Sequence, residues 1–457
     1  MDTKDTKDTK DTHQNVGVTA ESVATLRFVL VGALVLAAFV AAVERGEAHK
    51  AITSKYTYND DVFPIFRDRC APCHVDNGVA PMSLTTYKDA YPWAESIRAE
   101  LVAGHMPPWN AEEGFGDLKH ARTLTARELD VVLTWATGGN PQGDVDQKLE
   151  MVTLKNEWAM GTPDLALRMP ADVTVPSDAL EATQELVLPT SITTPRWVRA
   201  VDLLAGTPRI VRSAVIYLKS TGSGDRDGPP APERVLALWL PGHQPESAEA
   251  RTAFRLPAGA ELGVRIHYKK TWQFEGQAIA DRSTIGLYFA PENGAQELLT
   301  VPVTSAASAV SRGQKVTFSR TIDSDMKVVA LRPEQVPPNI SVQVEAVRPD
   351  GSRAPMIRLN TRPDWSRRYW LENPIELPRG SRIEVVADLE NPDLLSEAFG
   401  AISPSRTPPP GGPIEVVINV VAAHGQSGAR DAKDRKDRES RATSRSNAEN
   451  AKKDGVS

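Results

Sequence analysis

The chain has 457 residues, 40 % of them hydrophobic and 25 % charged, with 53 Lys and Arg against 59 Asp and Glu for a net charge of -6. That length suits about three domains, the charged fraction is ordinary for a globular protein, and the slightly acidic balance gives no footing for a nucleic-acid partner. Two cysteines, both inside one pentapeptide, leave no thiol for a structural disulfide or a second soft-metal site elsewhere.

Residues 1–26 open with Asp-Thr-Lys three times over, alternating charge without an apolar face, and read as a disordered polar leader. Within residues 27–48, Arg27 introduces sixteen uncharged residues, Phe28 to Val43. That length falls between a signal-peptide core and a full membrane span. Gly46-Glu47-Ala48 offers small residues for a signal peptidase, so a cleaved signal and an uncleaved anchor through residues 28–43 both stand. Either reading exports the remainder to the periplasm, soluble or held at the cytoplasmic membrane.

Residues 49–150 read as a small helical domain. Asn59 is the expected cap of a first helix, with Asp60 and Asp61 in its first turn and Val62, Phe63, Ile65 and Phe66 on its buried side. That helix delivers Cys70-Ala71-Pro72-Cys73-His74, a C-x-x-C-H. The spacing suits covalent haem c: each thiol forms a thioether to one haem vinyl, and the following imidazole is placed to ligate the iron. A redox dithiol is the competing reading. It expects a strand-to-helix context, whereas the residues before Cys70 look helical and histidine follows Cys73.

The second helix is expected from about Asp89 to Val102, with Ala90, Ala94, Ile97 and Leu101 at helical period. It runs into Gly104-His105-Met106-Pro107-Pro108-Trp109, where Met106 is the expected second axial ligand because two prolines restrict the backbone after it. A thioether opposite histidine raises a haem potential and suits electron transfer. His105 is the alternative axial ligand, and core packing is the other reading of Met106. Met82, eight residues after His74, is expected in the core. The third helix has the clearest limits, with Thr125 and Glu128 as a capping box, Leu129, Val132, Leu133 and Ala136 as its stripe, and Gly138-Gly139 at its end.

The run Asp61-Val62-Phe63-Pro64-Ile65, C-A-P-C-H, Ala80-Pro81-Met82-Ser83-Leu84, Met106-Pro107-Pro108-Trp109, Trp135 and Asn140-Pro141-Gln142-Gly143-Asp144 resembles a bacterial exported monohaem cytochrome c module. In many such proteins that module precedes a copper type II, ascorbate-dependent monooxygenase-like region, similar to peptidylglycine alpha-hydroxylating and dopamine beta-monooxygenases.

Alternating segments then predict two β-sandwiches, jelly-roll-like by the resemblance, over residues 155–305 and 306–424. The first set is Arg196 to Asp202, Arg209 to Leu218, Arg234 to Leu240, Glu261 to Tyr268 and Ser283 to Ala290. The second is Lys315 to Ile322, Met326 to Leu331, Ile340 to Val347, Arg382 to Asp388 and Ile414 to Val421. The resemblance covers this whole region through Leu240-Pro241-Gly242-His243, Arg265-Ile266-His267-Tyr268 and Gly286-Leu287-Tyr288.

In that family one copper takes an adjacent His pair and a further His, and the other takes a His-x-His and a distant Met. Here the strand expected to carry the pair reads Ile210-Val211-Arg212-Ser213-Ala214, no His stands in Arg332-Pro333-Glu334-Gln335-Val336, and no Met in Phe399-Gly400-Ala401-Ile402-Ser403. Only His243, His267 and His424 occur after residue 150, too few for two imidazole-rich coppers. Copper is therefore not expected. His267 is a candidate residual metal site, with a structural role as the plainer reading of it and of His243. Arg212 and Glu334 are expected to pair across an emptied inter-domain cleft. Residues 425–457 are mixed-charge and read as a disordered tail.

The expected protein is multidomain: a small all-α cytochrome c domain, two all-β sandwiches and disordered termini. Its expected function is single-electron transfer to redox partner proteins in the periplasm or at the membrane, with the β module for docking and no catalytic residue assigned. The alternatives are a haem-fed copper monooxygenase hydroxylating an organic substrate, and a binding protein whose haem is structural or sensory.

Overall fold

The computed structural model describes residues 53–219, 230–247, 252–293, 295–306, 315–337, 340–361, 365–389 and 413–423. The leader, the apolar stretch 28–43, His424, residues 399–403 and the charged tail lie outside these. No described helix is long and apolar enough to cross a membrane.

Helix α1 runs through three contiguous stretches, Tyr58–Val62, Phe63–Ile65 and Phe66–Cys70, the outer two π-wound. Its cap is Thr57, whose hydroxyl accepts from the Asp60 amide, and not the expected Asn59. Asn59 is buried within the helix, donating through Nδ2 to the Asp144 carbonyl at 2.6 Å. Both residue types cap well, so local sequence alone does not separate two candidates two residues apart.

Helix α2 starts earlier than expected, capped by Thr86, and passes through Tyr87–Ala90, a 3-10 turn at Tyr91–Trp93 that holds Pro92, and Ala94–Val102. Helix α3, Ala126–Thr137, forms the full capping box between Thr125 and Glu128 and is followed by Gly138. Its buried stripe is Val131, Val132, Trp135 and Ala136, rotated from the expected one because the indole of Trp135 takes the centre of the core. There it lies 6.2 Å from Phe66 and 6.0 Å from Tyr58, centroid to centroid. Thr125→Ala should remove the cap and lower stability by about 1 kcal/mol in urea unfolding; an unchanged midpoint would show the box to be idle.

The β region forms two face-to-face sheet pairs. In the first, the sheet ordered Leu165–Arg168, Thr284–Phe289, Arg196–Leu204, Thr252–Leu256 and Gln296–Glu297 faces the sheet Glu181–Pro189, Glu261–Lys269, Val211–Leu218, Val235–Trp239. Val201, Leu203, Leu256 and Leu287 from one sheet meet Ile216, Val264, Ile266 and Tyr268 from the other. In the second, Leu299–Thr304, Glu415–Ala422, Met326–Gln335, Tyr369–Leu377 face Lys315–Thr321, Arg382–Asp388, Ser341–Val347, Arg353–Asn360. All ten expected strands are present, and the change of sandwich falls between Glu297 and Leu299, ahead of the expected 305/306 boundary, because strand Leu299–Thr304 pairs with Glu415–Ala422 of the second sandwich.

The described residues from Ser54 onward belong to one compact unit. Part of the reason is a strap that leaves the helical region after α2. Ala111 bridges to Leu359 and Leu118 to Leu371, both antiparallel, and Trp109 and Leu118 pack on the second sandwich's core. The Glu112 amide donates to the Arg358 carbonyl and the Lys119 amide to the Trp370 carbonyl, at 2.7 and 2.8 Å.

Candidate haem site

Cys70, Cys73 and His74 occupy one helical turn that continues α1. The His74 and Cys73 amides both donate to the Cys70 carbonyl, at 2.9 and 3.1 Å. Positions i, i+3 and i+4 of a helical turn share a face, so the spacing brings two sulfurs and an imidazole to one side of the backbone. The chain then folds back on the turn, Ala80 donating to the Cys73 carbonyl and Leu84 to that of His74.

His74 is buried, and its Nδ1 lies 3.2 Å from the Met82 carbonyl. A carbonyl only accepts, so Nδ1 carries the proton and Nε2 keeps its lone pair. Among the described residues Nε2 has no hydrogen-bond partner. Burial holds the ring's pKa down at about 4, against the pull of the Met82 carbonyl, so the imidazole is neutral at physiological pH. Met82 itself is partly buried against the helical core, as expected, and it is its backbone that does the orienting.

Both thiols are free and half-buried. Burial pushes Cys70 up to about 12, reinforced by Cys73 and Glu128, and pushes Cys73 up against the opposing pull of Arg122, Arg212 and Arg367. A redox-active dithiol needs a thiol pKa lowered toward neutrality. The environment here does the reverse.

These groups fit a c-type haem on the chemistry of the donor set. Two reduced sulfurs flank one turn, and a neutral imidazole is tied by its distal nitrogen in the way that orients a metal-ligating histidine.

The Met106 segment is presented by the end of α2. The Gly104 amide donates to the Leu101 carbonyl and the His105 amide to that of Glu100, the paired bonds of a Schellman ending, with Gly104 at φ 64°. His105 and Met106 therefore leave the helix in a defined direction, and the Met106-Pro107 peptide is cis. The His105 ring is engaged, Nδ1 lying 3.0 Å from Glu100 Oε2 at the surface, while Met106 is half-buried. Buried Arg367, just before strand Tyr369–Leu377, donates to the Pro108 carbonyl at 2.6 Å and stacks over Trp109 at 5.1 Å. Its positive charge also opposes the burial that raises the Cys73 thiol's pKa.

The loop Leu240-Pro241-Gly242-His243 closes over the pentapeptide. Cys73 Sγ lies 3.7 Å from the Pro241 carbonyl, and Gly242, at φ 64°, approaches Pro72 so closely that a Cβ would stand 2.5 Å from the proline's own. Arg122 donates to the Gly242 carbonyl. His243 is deprotonated by burial and by Arg367 and Arg122, its pKa falling to about 3. Sequence reading singled out this loop only as a landmark. Nothing local in Arg122 or Arg367 signals the Gly242 and Pro108 carbonyls that they reach.

His267 lies elsewhere, on strand Glu261–Lys269, its Nδ1 3.3 Å from Thr183 Oγ1 and its Nε2 4.0 Å from Glu181 Oε2. It lines a cavity of about 300 Å³ with Ser213, Trp239 and Ser366. Among the described residues no group of three or more His, Cys, Asp and Glu is arranged to hold a metal ion. The expected Arg212 and Glu334 pair does not form. Glu334 is bound by Arg332, whose Nε donates to Oε2 at 2.7 Å, while Arg212 stacks on Trp365 at 4.4 Å. Arg332 and Glu334 are two apart on one strand and share a face, so the local partner is reached first.

No known protein family matches the sequence, and no curated protein matches it. Solved structures that align include the major capsid protein P2 of bacteriophage PM2, at 7 % identity and TM-score 0.22 over 57 % of this chain and 98 % of that one. A Paenibacillus xanthan lyase aligns at 12 % identity and TM-score 0.15, over 56 % of this chain and 25 % of its own. A tandem CBM22 domain of Paenibacillus barcinonensis Xyn10C aligns at 12 % identity and TM-score 0.14, over 62 % of this chain and all of the other. Likeness at that level carries no argument about function.

Proposed function

We propose that the protein is an exported monohaem c-type cytochrome that passes single electrons between periplasmic or membrane-held redox partners, and that residues 49–150 are its cytochrome c domain. The observation that carries the reading is the turn Cys70 to His74, with both sulfurs and the imidazole on one face and Nδ1 of His74 tied to the Met82 carbonyl. Haem bound there supplies a one-electron iron couple. Cys70 and Cys73 hold the porphyrin, His74 presents Nε2, and the Met82 carbonyl keeps that tautomer and ring angle. Met106 is the second axial ligand in this reading, and the closing loop at Pro241 and Gly242 keeps water off the sulfurs. Export through residues 28–43 goes with this function, since c-type haem is attached outside the cytoplasm. The β-sandwiches have a docking role and copper is not part of the function.

The test is iron and copper content per chain, on full-length protein made in a periplasm competent for c-haem maturation and then exposed to copper. One iron, a covalent c-type spectrum and no retained copper are expected. One or two tightly held coppers would overturn the reading in favour of a monooxygenase.

Met106→Ala and His105→Ala separate the two axial candidates. Loss of the thioether should lower the haem potential enough to shift the oxidised-to-reduced ratio by at least about tenfold, with loss of the near-infrared sulfur-to-iron band. His105→Ala should leave both unchanged, and the reverse pattern would reassign the ligand.

A further inference from the structure

Between the helical region and the first sandwich, residues 147–156 run without helix, turn or bend and pair with no strand. Among the described residues, no backbone amide or carbonyl from Lys148 to Leu154 has a hydrogen-bond partner. The stretch holds no proline, so every one of its residues offers both a donor and an acceptor. It is nonetheless anchored. Leu149 and Val152 pack on the helical core, and Glu150 pairs with Arg67 at 3.3 Å. An anchored chain whose main-chain groups are left open is a template for a further strand.

This stretch lines a groove of about 880 Å³, whose other walls come from the starts of α1 and α2 and from the chain just after His74. Asn59, Asn77 and Gln142 bring side-chain amides to it, groups that both donate and accept. Asn59 is buried. Its Nδ2 is held by the Asp144 carbonyl, but its Oδ1 has no partner among the described residues and awaits a donor.

The charged lining consists of Asp76, Glu150 and Lys88, and among the described residues no cation pairs with Asp76. Exposed Asp144 and Asp146 stand just before the stretch, so the surroundings are acidic. Met151 lines the same groove and is 84 % exposed, a flexible apolar side chain of the kind that adapts to a bound partner.

We propose that residues 148–154 and the groove beside them receive an extended, basic segment of a partner protein. That segment pairs main chain to main chain with the stretch and sets a Lys or Arg against Asp76. A neutral saccharide would engage the amides but has no charge for Asp76. The inference needs no haem and stands apart from the cytochrome reading.

The experiment screens labelled full-length protein against an array of end-blocked hexapeptides and measures the best binder by fluorescence anisotropy. Peptides holding Lys or Arg should be selected over their Asp and Glu counterparts. Asp76→Asn should weaken the best binder about fivefold. Glu150→Pro and Met151→Pro each delete one amide, and neighbouring amides of an extended chain point to opposite sides. One of the two should therefore weaken binding at least about tenfold and the other less than about threefold.

Neither proline variant loses a hydrogen bond of the free chain, so both should fold. If one does not, amide exchange decides, with alternate amides of residues 148–154 slowed in the complex and none slowed if the proposal fails. Absence of any selected peptide, a preference for acidic ones, or binding that both proline variants leave unchanged overturns it. Selection only by a chain lacking residues 425–457 would assign the groove to this protein's own charged tail and likewise overturn the partner.

Discussion

Full-length protein carrying Cys70→Ala and Cys73→Ala together is expected to show no haem stain after denaturing electrophoresis, where the unsubstituted chain stains strongly. The effect should be all or none, because the chain has no other cysteine to take a vinyl group. Each single variant keeps one thioether, so staining should persist with a shifted α-band in the reduced pyridine spectrum. His74→Ala should keep the stain, since the sulfurs remain, but lose the low-spin spectrum because Nε2 is gone. Undiminished covalent haem in the double variant would remove the basis of the cytochrome assignment. Disulfide chemistry in place of haem would appear as a two-thiol change in alkylation between oxidised and reduced protein.

Trp135→Ala is expected to have the largest effect on stability. The indole is fully buried at the meeting point of α1 and α3, edge-on to Phe66, and its Nε1 donates to the Pro141 carbonyl at 3.1 Å. Truncation removes a large apolar surface, leaves a cavity and takes away one of the two donors to that carbonyl, which keeps the Tyr58 amide at 2.9 Å, at a combined cost of about 3 to 5 kcal/mol. Urea unfolding followed by helical circular dichroism would register this as an early transition of the helical region. A loss under about 1 kcal/mol would show that the surrounding rings collapse into the space. Trp135→Phe should recover much of the packing but not the hydrogen bond to Pro141.

Part of the fold was legible because it is written in local chemistry. The capping box of α3 needs only Thr125, Glu128 and a glycine at the far end, and it formed with those limits. Ten strands were legible from alternation. Three of the strands missed break that pattern. Glu181–Pro189 is exposed along most of its length, so no apolar period marks it. Arg353–Asn360 and Tyr369–Leu377 hold Pro355 and Pro374, which read as interruptions but lie at sheet edges, where a missing amide costs little.

The sequence by itself determined the turn Cys70 to His74, since C-x-x-C-H places two sulfurs and an imidazole on one face through covalent spacing alone, and it determined the succession of a helical region and two sandwiches. Tertiary structure decided everything that depends on distant segments meeting. It moved the strap after Trp109 onto the second sandwich, gave Glu334 to Arg332 and sent Arg212 to Trp365. It also brought the Gly242 loop over Pro72 and Cys73, and Arg367 onto the Pro108 carbonyl. Periodicity reports which side of an element faces inward, but the partner on the other side is chosen by packing and charge across the whole fold. A solitary arginine therefore looks the same in sequence whether it ends in solvent or, like Arg368, wholly buried.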